Sequence, residues 1–435
     1  MSVRAYRAAL LHATADPCQA PAEEAWAYHP DGLLAVEDGH ILAFGPHEEV
    51  APTLPAGTVV TVFPHRLITP GFVDAHIHYP QTDVVAAWGS QLLDWLNTHT
   101  FPAEQAFADR AHADEAAKFF LSELLRNGTT SALVFGTVHK ASAEALFEAA
   151  LARNMRLIGG KVLMDRNAPS ALCDTVETGR ADTEALIRDW HGRGRLGYAV
   201  TPRFAVTSSD AQLAMAGEIA AAHPDVLIHT HMSENLAEIA QVGALFPDAR
   251  DYLEVYARHG LVGPRSVFAH CVHATEDALV RMREAGAAAA FCPSSNLLLG
   301  SGLFSLKQAC ACGLTVGLGT DIGAGASFSL PHVMGEAYKV GQLRGEVLDP
   351  MHAFYLATLA GARALRIDDK VGNLAPGKEA DFLVLDLAAT PLLARRTNAA
   401  ASIAEKLFVL SILGDDRVVE RTYLAGELAH SRDSA

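Results

Sequence analysis

The sequence predicts an α/β protein: a (β/α)8 TIM-like barrel with a small β-sandwich domain formed by both termini. Three observations lead there. From about residue 67 to 365, short apolar, β-branched runs alternate with longer amphipathic stretches, the pattern of parallel strands joined by helical crossovers. The runs number eight, which is the count that closes a barrel. Both ends read differently, as short strand-like runs broken by Gly or Asp-Gly turns. The expected division is 1–66 and 371–435 for the two parts of the small domain and 67–370 for the barrel.

In chain order the barrel runs are LITPGFVDAHIH (67–78), TSALVFG (130–136), RLIGGKVLM (156–164), LGYAVTPRF (196–204), VLIHTHM (226–232), SVFAHCVH (266–273), AAAAFCP (287–293) and TVGLGTD (315–321). Helical patterns fill the gaps. One is EQAFADRAHADEAAKFFLSELLRN, stopped by Gly128, and another is AQLAMAGEIAAAH, opened by Ser209 with Gln212 three residues on as a capping box. The terminal runs are DGLLAVEDGHILAFG (31–45), GKEADFLVLD (377–386) and VVERTYLAGELAH (418–430), expected to pair with one another.

Composition bounds the function. With 50% apolar and only 19% charged residues in 435, the chain has a core to bury, which excludes a disordered scaffold. The formal charge of −16 repels a phosphate backbone and an anionic membrane alike, so neither nucleic acid nor membrane is an expected partner. Six cysteines (Cys18, Cys173, Cys271, Cys292, Cys310, Cys312) show no CxxC pair, suggesting neither a disulfide framework nor a thiolate zinc site, and hence a reducing compartment. The first residues hold an apolar run too short for a secretory core, and the uncharged stretch Ala285–Leu306 is broken by Pro293, Gly300 and Gly302. The reading is a soluble, cytoplasmic protein.

Barrel chemistry sits at the carboxyl ends of the strands, so the polar residues there carry the function. The first run ends in Asp74-Ala75-His76-Ile77-His78. Period-two alternation puts His76 and His78 on one inward face, with Val73 and Ile77 toward the helices. The fifth ends in His229-Thr230-His231, with Glu234 just beyond, and again the two imidazoles share a face. The eighth ends in Asp321, a carboxylate that needs a cation if buried, and the sixth adds His270. Singly, such residues are most often structural. Together they converge only if the sheet closes, and a His/carboxylate set with one open position suits catalytic zinc or non-haem iron.

PGFVDAHIH, HTHMSE, AHCVH and GLGTD, in this order, resemble the amidohydrolase superfamily. Within it, HYPQTDVVAAWGSQLLDWLNTHTFPAE (78–104) and TPRF (201–204) are similar to the guanine deaminase family. The resemblance implies one Zn2+ per subunit, with Fe2+ the other candidate, held by His76, His78, His231 and Asp321. His229 is then a packed residue behind the site, although spacing alone leaves the choice between His229 and His231 open. It also implies hydrolysis of guanine. Asp321 takes the water proton, Glu234 protonates ring N3 and then the leaving amine, and His270 stabilises the developing oxygen charge. Arg203 donates to O6, Phe204 stacks on the purine, Gln81 meets a ring edge that alternates donor and acceptor, and His231 and Glu234 also border the base. Because Arg203 and Phe204 are adjacent, one must leave the regular pleat. The partner is thus a small purine base, and base rates among soluble enzymes point to a homodimer.

Rival readings are another mononuclear aminohydrolase (adenine, cytosine, adenosine derivative or triazine), a two-metal hydrolase built on a carboxylated lysine, and a barrel kept only as a scaffold. The fourth run has no lysine, Lys161 lies mid-strand in the third with a packing or ion-pair role, and every expected ligand position is filled. The segment Trp88–Phe101 reads as a lid or as a subunit interface.

Overall fold

A computed structural model describes residues 3–21, 24–89 and 91–434. Its strands are β1 (Arg4–Ala13), β2 (Trp26–Glu37), β3 (His40–Pro46), β4 (Val59–Pro70), β5 (Phe72–His78), β6 (Thr129–Phe135), β7 (Arg156–Gly160), β8 (Val162–Leu163), β9 (Leu196–Pro202), β10 (Leu227–Met232), β11 (Ser266–His270), β12 (Ala288–Phe291), β13 (Thr315–Leu318), β14 (Phe382–Leu385), β15 (Val419–Leu424) and β16 (Glu427–Ser431).

Strands β5 to β13 form one parallel sheet in the order β13-β12-β11-β10-β9-β7-β6-β5, with β8 beside β9. It closes to a barrel without a regular ladder between β5 and β13. Near the upper end the seam is stitched by backbone bonds from Asp321 N–H to His76 C=O (2.9 Å) and from His78 N–H to Ile322 C=O (3.0 Å). At the lower end Val73 N–H reaches Ala357 C=O (2.9 Å) instead, just before the helix Leu359–Ala364. Inside the ring Val73, Ala75, Leu133, Ile158, Ala199, Leu227, Val267 and Ala290 pack together, closed from below by Leu365 and Ile367. The large outer cluster lies between strands and helices, with Ile77 and Phe72 in it.

Val73 therefore faces inward, contrary to the alternation expected from sequence. The register between β5 and β6 shifts between Asp74 and Ile77, a bulge that adds a residue to β5 and switches parity. His76 and His78 point into the barrel mouth because of that bulge, while Val73 and Ala75 fill its interior.

The expected strand 67–78 is two strands. Leu67–Pro70 completes β4 of the small sheet, and the chain passes into the barrel at Gly71, where a Cβ would lie 2.0 Å from Thr130 Oγ1. The small domain is a single seven-stranded sheet, β16-β15-β14-β4-β1-β2-β3, drawn from both termini. It curls so that its two wings meet: Ile41 N–H bonds Lys378 C=O and Ala380 N–H bonds Gly39 C=O (both 2.8 Å). Tyr6 packs against Phe382 and Tyr423 in the enclosed core. A clamp of Arg156 and Arg195 on Glu379, with Arg195 also on Asp381, joins this sheet to the barrel.

Other details also differ from expectation. The helical pattern 104–127 breaks at Asp109, whose side chain caps a separate helix Arg110–Arg126. Ser209 caps Asp210–Ala222 through Gln212 N–H, but the reciprocal half of a capping box is missing. Ser209 N–H is taken by Asp165, and the Gln212 amide is buried without a partner among the described residues. The helices Pro391–Asn398 and Ile403–Leu413 were not foreseen, and the second lies on the barrel helix Leu330–Arg344 through Phe408 and Tyr338. Cys18 and Cys310, 292 residues apart with Cα atoms 6.0 Å apart, form a disulfide pair. No local spacing announces such a pairing, because the fold alone brings the two segments together. Among the described residues no helix is long and apolar enough to cross a membrane.

Candidate active site

The strand ends converge at the barrel mouth on one cavity. Its lining includes His78, Gln81, Arg203, Phe204, His231, Glu234, His270 and Asp321. The turn after each strand aims these groups. Ser233, His270 and Asp321 all have positive φ (52°, 73° and 51°), a sparsely populated backbone held here by the surrounding packing. Gly319, just before Asp321, leaves room for β5, since a Cβ there would lie 2.9 Å from His76.

His76, His78, His231 and Asp321 form one buried knot. His78 Nε2 is 3.2 Å from His76 Nε2, 3.2 Å from His231 Nε2 and 3.3 Å from Asp321 Oδ1, and His76 Nε2 is 3.1 Å from the same oxygen. One Nε2 proton can serve only one of these neighbours, whereas a cation between them serves all. The spacings match the edges of a tetrahedron, about 3.3 Å, around an ion with bonds of about 2.0–2.1 Å. The far sides of His231 and His76 are placed as ligand imidazoles require, His231 Nδ1 bonding Arg203 C=O (2.7 Å) and His76 Nδ1 meeting His229 Nε2 (2.7 Å), while the Gln81 amide N–H donates to His78 Nδ1 (3.1 Å). His229 thus lies behind His76, its Nδ1 buried without a partner among the described residues.

Electrostatics agree with this donor set. Burial pushes the His78 imidazole down to about 3 and His270 to about 4, so both rings are neutral and hold a lone pair. Burial pushes Asp321 up, but hydrogen bonding to His76 and His78 more than offsets it, and the carboxyl stays well below its usual range. Cys292 Sγ also reaches the knot, and burial holds its thiol far above its usual value.

Glu234 is placed beside the knot. Its Oε2 is 3.4 Å from His270 Nε2, and Ser301 O–H donates to its Oε1 (3.0 Å). Burial, then the nearby Asp321 and Glu238 carboxylates, raise it well above the ordinary carboxylate range. His270 Nε2 also lies 3.8 Å from Asp321 Oδ2, and its Nδ1 meets the Asn296 amide (2.9 Å).

Across the cavity stand Arg203 and Phe204. Strand β9 ends at Pro202, so both have left the pleat and both line the pocket. The segment after β5 folds over the site as helix Leu92–Trp95, a π turn Leu96–Thr100 and helix Phe101–Gln105, with Leu92, Trp95 and Leu96 in the lining. Trp88 remains 88% exposed. Lys161 is buried in an ion pair with Asp174 and does not line the cavity.

Four contributors escaped the sequence reading. Ser301, Asn296 and Glu104 had no signal, because each meets its partner only through tertiary packing. Asp74 was visible in the motif itself. Its carboxylate takes Thr320 N–H (3.1 Å), Thr320 O–H (2.5 Å) and His76 N–H (3.1 Å), tying β5 to the residue before Asp321.

Comparison with known proteins follows the same lines. The Amidohydrolase family pattern matches residues 67–429. Guanine deaminase of Escherichia coli K12 is 52% identical over 403 residues, covering 93% of this chain and 92% of that protein. A solved structure of E. coli guanine deaminase superposes with a TM-score of 0.96 at 50% identity, over 99% of this chain and 100% of that one. Guanine deaminase from C. acetobutylicum, solved with guanine bound in the active site, superposes at 0.88 with 28% identity over 98% of this chain and 100% of that one. The chain belongs to the amidohydrolase family, in its guanine deaminase branch.

Proposed function

We propose that the chain hydrolyses guanine to xanthine and ammonia, with His76, His78, His231 and Asp321 holding one zinc ion per subunit. The observation that carries the reading is the union, in one cavity, of a three-histidine, one-aspartate knot with Arg203, Gln81 and Phe204, which the metal chemistry itself does not need. Bound at the knot, the ion would lower the pKa of water to about 7 and so supply a nucleophile at neutral pH.

The rest of the chemistry belongs to the side chains. Phe204 offers a face for the purine, and the Arg203 guanidinium offers donors to O6, an acceptor in guanine that adenine replaces with an amine. Gln81 carries both a donor and an acceptor for the neighbouring edge. With C2 thus turned toward the knot, Asp321 accepts a proton from the attacking water. Attack makes C2 tetrahedral and pushes charge onto N3, which Glu234 protonates; left as a carboxylate, Glu234 takes the hydroxyl proton at C2 and passes it to the amine, so that the C2 carbonyl forms as neutral ammonia leaves and the proton held by Asp321 restores the acid. His270, its Nε2 facing Glu234 and Asp321, stabilises the oxygen as it gains charge. Leu92, Trp95 and Leu96 keep bulk water from the pocket, and the Trp88–Phe101 segment acts as its cover.

A homodimeric state and a cytoplasmic location complete the proposal, together with a small domain of 1–66 and 371–435 that takes in Leu67–Pro70 of β4 as well. The test is ammonia release from guanine, adenine, cytosine and ammeline assayed in parallel, together with metal analysis and light scattering. Guanine should be preferred by at least about a hundredfold, as loss of a built hydrogen bond to a substrate group implies. Preference for another base, or protein that takes up no zinc, overturns the reading.

A further inference from the structure

Beneath the groups that face the base lies a carboxylate that the chemistry above does not use. Glu104, on the helix Phe101–Gln105, is fully buried, and both its oxygens take hydrogen bonds from Arg203 Nη1 (2.9 and 2.8 Å). Its Oε1 also accepts from the Gln81 amide (3.2 Å), whose own oxygen takes Gly323 N–H (3.3 Å). Phe101 of the same helix lies under the guanidinium, 5.3 Å from ring centre to Cζ. One short helix therefore holds both hydrogen-bonding readers of the base. Arg203 Nε and Nη2 have no protein partner among the described residues and remain for a ligand.

We infer that Glu104 is a positioning and specificity residue: it holds Arg203 and Gln81 in register and, by neutralising Arg203, tunes the pocket to a neutral base over an anionic one. The inference rests on the guanine deamination reading. A guanidinium buried at this depth without its paired carboxylate would attract an anion more strongly, because Glu104 is the acid in direct contact with it. The reaction produces the stronger acid of the pair, since exchange of the C2 amine for a carbonyl leaves an N3–H flanked by that carbonyl. Product is thus the species that carries negative charge more readily. Paired with Glu104, Arg203 offers donors without net charge, which suits O6 of neutral guanine and does not hold an ionised product.

Glu104→Gln tests this, with Glu104→Asp as the charge-keeping control. Zinc content, guanine kcat and KM, and inhibition constants for xanthine and 2-aminopurine, which lacks O6, are measured. In Glu104→Gln zinc should stay and guanine KM should rise about tenfold with kcat moving far less, the size of a lost hydrogen bond to a charged group. Xanthine should inhibit more tightly, with the gain growing as pH rises and product ionises, while 2-aminopurine binding barely changes. Glu104→Asp should restore weak xanthine inhibition. Equal losses for guanine and 2-aminopurine, or xanthine inhibition unchanged at every pH, overturn the inference. Wild-type protein that releases no ammonia from guanine would instead defeat the deamination reading itself.

Discussion

Glu234→Gln separates proton transfer from everything else the site does. The replacement keeps the shape of the side chain, and Ser301 O–H, 3.0 Å from Oε1 in the wild type, can donate to the new amide oxygen. The loop is held without the Glu234 side chain, because the backbone N–H groups of Glu234 and Asn235 both bond Glu238 Oε2 (2.9 and 3.1 Å). The metal ligands are untouched, so zinc content should equal that of wild type. What is lost is a proton donor 3.4 Å from His270 at the reacting centre. General acid–base catalysis is worth about 10²–10⁴ in rate, or about 3–5 kcal/mol of barrier, and kcat should fall by that factor. The assay is ammonia release from guanine at saturating substrate, with the metal measured on the same samples. A variant that carries its zinc and turns over within tenfold of wild type would refute the assignment.

Other perturbations probe the remaining links. His76→Ala removes one ligand and strips His229 Nε2 of its partner at 2.7 Å, so zinc and activity should disappear together; retained zinc with retained turnover, by elemental analysis and ammonia release, would exclude His76 as a ligand. Arg203→Ala leaves Glu104 as a buried, unpaired carboxylate, which should cost about 3–5 kcal/mol in urea unfolding and raise guanine KM more than it lowers zinc content; unchanged values in both would dismiss the pair. His12 gives a pH test away from the site. Burial, then the charges of His29 and Lys378, hold its imidazole down to about 4, and its Nδ1 accepts Leu374 N–H at 2.8 Å. A depressed folded value means this contribution is fully present above about pH 6.5 and is lost as pH falls toward about 4, by about 3 kcal/mol at most. Urea midpoints should decline across that window in wild type and less steeply in His12→Gln, and parallel declines would falsify the linkage.

The proposed metal-binding and catalytic residues were legible because their signal is local. HxH, HTH and GTD each place polar groups at the end of an apolar run, and a run of apolar, β-branched residues identifies a buried parallel strand. The parity argument turned His76 and His78 into the barrel for an incomplete reason. Without the bulge between Asp74 and Ile77, the parity that turns Val73 and Ala75 into the interior would turn His76 and His78 away from it. Bulges leave no dependable mark in one sequence. Glu104 was invisible because its partner is 99 residues away, and nothing in FPAEQAF distinguishes a solvated helix carboxylate from a buried one. Cys18 and Cys310 were missed for the same reason at greater distance. The break at Gly71 could be read only after Thr130 was seen against it, and the helices after Pro391 only after a barrel face was seen waiting for them.

The seam of the barrel has a consequence for how the protein responds to loss of its ion. Histidines of the first strand and the aspartate after the last stand on opposite lips of the one join that lacks a regular ladder, held by two backbone bonds and the Asp74–Thr320 contact. A cation gripped by both lips would act as a clasp as well as a Lewis acid. Chelation should then loosen the staves locally, and amide exchange at residues 76–78 and 320–322 should quicken well before the far wall at β9 and β10 responds.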